Sequence, residues 1–280
     1  MPRVCVVTDS TADVPKPLVD ELGITVVPCC VHFGQETFLD GVDLSREQFH
    51  ARLASGGRPP TTSPPPVGYI ANVYRQLAKQ ADQIISIHPA SNLSSLFNAA
   101  RLASEMIADD RIVLIDSTQA SMGTGWLAVL AARAARLGHS LDEIEAMLRA
   151  TVPRLRLVAI IDDLQFMRRS GRVRWVEALV GSFLRIKPVV MLKDGQVNLL
   201  ERVRTRKSAI ERLAAVTAAL GPLQEVAALH ANAAQEAEQA ARMLAAMCAR
   251  EQIQIVEAGT TMTSHAGPRA VAFACVLAEH

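Results

Sequence analysis

Hydroxyls and carboxylates gather where the apolar runs of this sequence end. Asp9-Ser10-Thr11 closes the run at 4–8, Asp116-Ser117-Thr118 closes the run at 111–116, and Ser91-Asn92-Leu93-Ser94-Ser95 follows the run at 83–88. In parallel α/β sheets ligands sit at the carboxyl ends of strands, so these positions suit a binding site. The same side chains also read as ordinary helix caps. The serine segment opens a helix, and a helix N-terminus with hydroxyls beside its free N–H groups suits an anion such as a carboxylate. Thr263-Ser264-His265-Ala266-Gly267-Pro268 reads as a polar loop shaped around something.

Two basic clusters stand apart from these. Arg168-Arg169-Ser170-Gly171-Arg172-Val173-Arg174 is one, and Arg202, Arg204, Arg206 and Lys207 form the other. Each reads either as solvated charge or as a surface for a phosphate, a nucleic acid or an acidic protein. A net charge of +1 and the lack of interleaved aromatics weigh against nucleic acid. Gly123-x-Gly125-x-x-Ala128 resembles a dinucleotide fingerprint only superficially. It starts seven residues past the strand end, and close helix packing is the better reading. No Walker A loop, nucleophile elbow or zinc-ligand spacing is present, so no cofactor and no metal are expected.

The elements that must position these residues follow from periodicity. Strands at 4–8, 25–31, 83–88 and 111–116 alternate with helices at 45–54, 67–80, 93–108 and 119–137, which predicts a parallel sheet covered on both faces. Ser45-x-x-Gln48 and Ser140-x-x-Glu143 are capping boxes. The proline-rich stretch 56–66 predicts a stiff, extended loop, either a spacer or a binding loop. Beyond residue 157 the grammar changes. Strands at 158–161, 226–230, 253–257 and 270–278, helices at 206–220 and 232–250, and an Asp194-Gly195 hairpin predict a mixed α+β unit. The fold class is therefore α/β, with an N-terminal parallel-sheet domain, 1–157, and a C-terminal mixed or antiparallel α+β domain, 158–280.

Half of the 280 residues are hydrophobic, enough for a sizeable core. Five cysteines without a C-x-x-C read as free thiols in a reducing compartment. No run of 18 uncharged apolar residues and no signal-peptide h-region is found, so a cytoplasmic protein without a membrane span is expected.

Taken together and in order, these segments resemble the DegV family of bacterial fatty-acid-binding proteins. The resemblance rests on the opening run from Val6 to Pro15, the Asp40-Gly41-Val42-Asp43 turn and Thr62-Ser63-Pro64-Pro65-Pro66. It continues in Ser91-Asn92-Leu93-Ser94, in the loop from Leu164 to Arg172 with Ile186-Lys187-Pro188 after it, and in His265-Ala266-Gly267-Pro268. It implies a lipid-binding carrier with no catalysis of its own. The carboxylate of a long-chain fatty acid would meet the hydroxyls of Thr62 and Ser94 and the imidazole of His265, with Ser63 a neighbouring candidate and the ligand between or beside the domains. It also implies a partner, a fatty acid kinase that converts the bound carboxylate to an acyl phosphate and docks on Arg172, with the 202–207 cluster extending the contact.

The sequence departs from the family pattern at Pro64, Pro66, Ser95, Ser170 and Arg269, the last placing a long cation beside the expected head-group site. The alternative from residue types alone is a serine-hydrolase-like enzyme on acyl esters, built from Ser94, His265 and Asp9 or Asp116.

Overall fold

The computed structural model describes residues 3–56, 58–107, 111–173, 186–248 and 253–279. The first half runs β1 (Val4–Asp9), α1 (Lys16–Leu22), β2 (Thr25–Val27), β3 (Cys30–Phe33), β4 (Glu36–Leu39), α2 (Arg46–Ala54), β5 (Thr61–Ser63) and α3 (Val67–Leu77). It continues β6 (Gln83–His88), α4 (Leu96–Ile107), β7 (Ile112–Asp116), α5 (Met122–Arg136) and α6 (Leu141–Thr151). The second half runs β8 (Leu155–Ile160), α7 (Leu164–Ser170), β9 (Lys187–Lys193), β10 (Gln196–Val203), α8 (Arg206–Ala218), β11 (Leu223–His230), α9 (Ala234–Cys248), β12 (Gln254–Glu257), α10 (Thr260–Ala266) and β13 (Val271–Leu277).

Three sheets result. The first is parallel, in the order β2-β1-β6-β7. The second is mixed, in the order β10-β9-β8-β13-β11-β12, with only β11 and β12 parallel. The third is a small antiparallel sheet, β4-β3-β5. The α/β class, with a parallel sheet and a mixed sheet, is thus present.

Several local expectations are corrected by tertiary structure. The run at 25–31 is not one strand. Pro28, which has no N–H for a ladder, separates β2 from β3, and the two pieces enter different sheets. The loop at 56–66 contains β5, an edge strand paired through Val31 and Thr62, where proline neighbours are tolerated. His265 lies in helix α10 rather than in a loop, and the segment read as a loop from Leu164 holds α7. Both capping boxes are formed, and Asp194 and Gly195 turn the β9–β10 hairpin with φ of 51° and 73°.

Helix α5 binds the layers together. Its alanine-rich surface packs on Val6, Ile85 and Ile115 of the parallel sheet and on Leu155, Leu229 and Ala274 of the mixed sheet. A Cβ at Gly125 would stand 2.5 Å from the Ala12 carbonyl oxygen and 2.7 Å from Met122 Sδ. That glycine serves close packing, not a nucleotide. On the mixed sheet, Val158 and Ile160 face α8 and α9, whereas Leu157 and Ala159 point to the opposite face and line a cavity. Cys29, Cys30 and Cys275 are buried. No helix among the described residues is long and apolar enough to cross a membrane.

Candidate functional site

Between the mixed sheet and the loops of the parallel one lies a cavity of about 1040 Å³ of atom-free space, its open mouth included. Its walls are almost wholly apolar, with Leu157, Ile161, Val190, Leu192, Val197 and Met167 supplying much of the surface. One pole is different. Thr62, Ser63, Ser94, His265 and Arg172 all line this single cavity, although they come from β5, the turn before α4, α10 and the turn after α7.

Each of these polar side chains has a hydrogen-bond partner. Thr62 Oγ1 lies 2.8 Å from His265 Nε2. Burial, reinforced by the charge of Arg172, pushes the His265 pKa down to about 4, so the imidazole is neutral at pH 7. A neutral ring has one donor and one acceptor. With the proton on Nε2 it donates to Thr62, leaving the threonine proton to an incoming anion. Ser94 Oγ accepts from the Leu96 N–H at 3.3 Å and keeps its own proton. Ser63 is more occupied, because it donates to the Pro64 carbonyl at 3.0 Å and lies 3.0 Å from His32 Nε2. Arg172 donates through Nε to the Leu93 carbonyl at 2.7 Å and through Nη1 to the Ser170 carbonyl at 2.9 Å, which ties it to the Ser94 turn.

Outside this pole a second, polar hollow is lined by Arg58, Arg169, Ser264 and Thr61, and it shares Thr62, Ser170, Arg172 and His265 with the first. The shared residues form the boundary between an apolar chamber and a basic vestibule. The second basic cluster is placed elsewhere: Arg206 pairs with Asp162 and Glu236 and donates to the Arg269 carbonyl. Arg269 also turns away, pairing with Glu236 at 2.9 Å and lining neither hollow, so the cation expected beside the head-group site is absent from it. Arg174 lies outside the described residues.

Two buried carboxylates hold α10, and sequence reasoning missed their role. Asp40 accepts from the hydroxyls of Thr260 and Thr261 at 2.6 and 2.7 Å and from both backbone N–H groups at 3.3 Å. Asp13 accepts from the Gly259 N–H at 2.8 Å and from the Ser121 hydroxyl. Burial raises the Asp13 pKa to about 7 against the lowering effect of those bonds. The available signal was the Asp40-Gly41-Val42-Asp43 turn, whose partner lies more than 200 residues away.

The hydrolase set is not assembled. Asp9 bonds to His88 Nδ1 at 2.7 Å, and Asp116 accepts from the backbone of Ser91 and Thr118. His265 has no carboxylate partner among the described residues. A different chain, Tyr74–Ser86–His88–Asp9, is linked at 2.7 to 2.8 Å with all four side chains buried. It has the order of a relay triad without access for a substrate, so it reads as a satisfied buried network.

Comparison with known proteins agrees with this architecture. A family model described as "Uncharacterised protein, DegV family" matches residues 3–278. The chain is 30% identical to protein DegV of Bacillus subtilis, covering 96% of this chain and 97% of that one. It is 33% identical to a DegV domain-containing protein of Deinococcus radiodurans, covering 97% of each. Among solved structures, a Thermus thermophilus DegV family protein described by its fatty acid binding superposes with a TM-score of 0.91 at 28% identity, covering 99% of this chain and all of the other. B. subtilis DegV, described as a fatty acid binding protein, gives 0.87 at 30% identity with the same coverage. With nearly its whole length matched in sequence and in fold, the chain belongs to the DegV family.

Proposed function

We propose that this protein binds one long-chain fatty acid by its carboxylate and presents it to a separate fatty acid kinase, catalysing nothing itself. One observation carries the reading: an aliphatic chamber is lined by Thr62, Ser94 and His265, and it shares Thr62, His265 and Arg172 with a neighbouring hollow that carries Arg58 and Arg169. The tail enters the chamber, and burying ten methylenes at about 0.8 kcal/mol each contributes about 8 kcal/mol before ordering costs. The carboxylate accepts from the Thr62 and Ser94 hydroxyls, with neutral His265 orienting the former. On this reading the chain divides near residue 157 into two domains, with the ligand between them.

The same boundary supports presentation to a kinase. A carboxylate held there faces the vestibule, where Arg58 and Arg169 have no carboxylate partner among the described residues. They favour the arrival of a phosphoryl group and of an acidic kinase face. Arg172 contributes to both sides, as a contact surface and as the brace of the Ser94 turn.

Native mass spectrometry of freshly purified protein, followed by lipid extraction, tests the binding. A stoichiometric fatty acid is expected, and an apo mass that acquires neither oleate nor palmitate would refute it. The kinase step is tested by Arg58→Ala with Arg169→Ala. That double variant is expected to retain palmitate and to slow kinase-dependent acyl phosphate formation at least about tenfold; an unchanged rate would remove the docking assignment.

A further inference from the structure

Asn92, Asp116 and Thr118 stand among the polar residues at the strand ends, yet none of them lines the chamber. They form a closed hydrogen-bonded circuit around the tip of the β9–β10 hairpin. Asn92 Nδ2 donates to the Gly195 carbonyl at 2.8 Å. The Gly195 N–H donates to the Thr118 carbonyl at 2.9 Å. The Thr118 N–H donates to Asp116 Oδ1 at 2.8 Å, and Asp116 Oδ2 accepts from the Ser91 N–H at 3.2 Å. Ser91 precedes Asn92 in the chain, so the circuit closes covalently.

The circuit is tight. Gly195 is buried although it stands at a hairpin tip, while Asp194 beside it is exposed. A Cβ at Gly195 would lie 2.7 Å from Asn92 Oδ1, at a φ of +73° that favours glycine. Thr118, a β-branched residue, is held at a φ of 52°. Such a backbone position persists only where surrounding contacts over-determine it.

Two parts of the chamber meet at this circuit. The hairpin contributes Val190, Leu192 and Val197 to the apolar wall. Asn92 lies two residues before Ser94 in one turn, where the Leu93 and Ser94 N–H groups both donate to the Ala90 carbonyl at 2.9 Å. We propose that Asn92 is a positioning residue for the head group: by gripping Gly195 it fixes the Ser94 hydroxyl relative to the hairpin wall, and carboxylate recognition by Ser94 depends on that grip. This deepens the reading of the chamber as a fatty acid site and rests on it. A tail packed on the wall brings the carboxylate to one place, and a hydrogen bond weakens steeply with misalignment, so a turn released from the hairpin meets the carboxylate poorly.

The experiment measures dissociation constants of palmitate and hexadecanol for the wild type, Asn92→Ala, Gly195→Ala, Ser94→Ala and the double variant Asn92→Ala with Ser94→Ala. Asn92 is exposed, so its truncation should leave the fold intact. Asn92→Ala is expected to weaken palmitate about fivefold and hexadecanol less than about twofold. Gly195→Ala, which attacks the same joint from the hairpin side, should show the same preference. Without the Ser94 hydroxyl the effect of Asn92→Ala should vanish, because the two side chains act as one unit. Unchanged palmitate affinity in Asn92→Ala or Gly195→Ala, an equal loss for both ligands, or a loss that persists in the Ser94→Ala background would each overturn the proposal. If instead the wild type binds no palmitate, or Ser94→Ala binds it as tightly as the wild type, the head-group reading beneath the proposal fails and the proposal falls with it.

Discussion

Replacing Thr62 by valine removes one hydroxyl from the proposed head-group site and little else. Valine keeps the β-branched shape that suits a strand, and the Val31–Thr62 pairing is made by backbone groups, so β5 should persist. Two bonds are lost: the 2.8 Å contact with His265 Nε2 and the one offered to a carboxylate. A hydrogen bond to a charged group contributes roughly 1.5–3 kcal/mol, which converts to about 12- to 150-fold in the dissociation constant for palmitate. The neutral analogue hexadecanol has the same tail and no charge to satisfy, so its affinity should move less than about threefold. Isothermal titration or displacement of a fluorescent fatty acid measures both. Palmitate affinity unchanged in Thr62→Val would refute the head-group assignment. An equal loss for palmitate and hexadecanol would show that the substitution disturbs the chamber wall and that the hydroxyl carries no charge recognition.

Two further outcomes test the frame around the site. Because the His265 pKa is lowered from 6.5 to about 4, unfolded chains bind a proton there that the folded protein does not. This contribution is intact above pH 6.5 and is lost as pH falls toward 4, by about 3 kcal/mol at most. Urea unfolding should thus show wild type losing stability relative to His265→Gln on acidification across that window; parallel curves would refute the burial argument. Gly125→Ala forces a Cβ toward the Ala12 carbonyl at 2.5 Å. Overpacking of about 1–3 kcal/mol should outweigh the gain in helix propensity and lower Tm, whereas a raised Tm would show that the α5 contact can open.

What was legible in the sequence was local. The boxes at Ser45 and Ser140 and the Asp194-Gly195 turn are fixed by residues three or fewer positions apart, and all three formed. The residues that the family resemblance singled out, Thr62, Ser63, Ser94, His265 and Arg172, all line one chamber. Their individual bonding was not legible. The commitment of Ser63 to Pro64 and His32, the brace from Arg172 to Leu93 and the turning away of Arg269 depend on neighbours in space. Helix α10 escaped for the same reason. It is short, polar and opened by Gly259, and the carboxylates that hold its first turn are supplied by Asp13 and Asp40 across the fold. The Asp9–His88 pair joins the ends of neighbouring strands 79 residues apart, a relation that no local spacing encodes.

The site has no integrity of its own. Thr62 sits on an edge strand of the smallest sheet, Ser94 on the turn between β6 and α4, His265 on a seven-residue helix and Arg172 on the turn after α7. A helix of that length is marginal by itself, so the position of His265 depends on the Asp13 and Asp40 contacts that join residues early in the chain to α10. A bound carboxylate would add contacts to Thr62 and Ser94 across the same seam, and an acyl tail would fill the space behind them. On the proposed reading, ligand binding would then be linked to the stability of these contacts. At a free ligand concentration of a hundred times the dissociation constant, linkage adds about 2.7 kcal/mol to the folded state. That increment should appear in the slowest-exchanging amides of α10 and β5 more than in the parallel sheet, because α10 and β5 carry the contacts that the proposed ligand would complete.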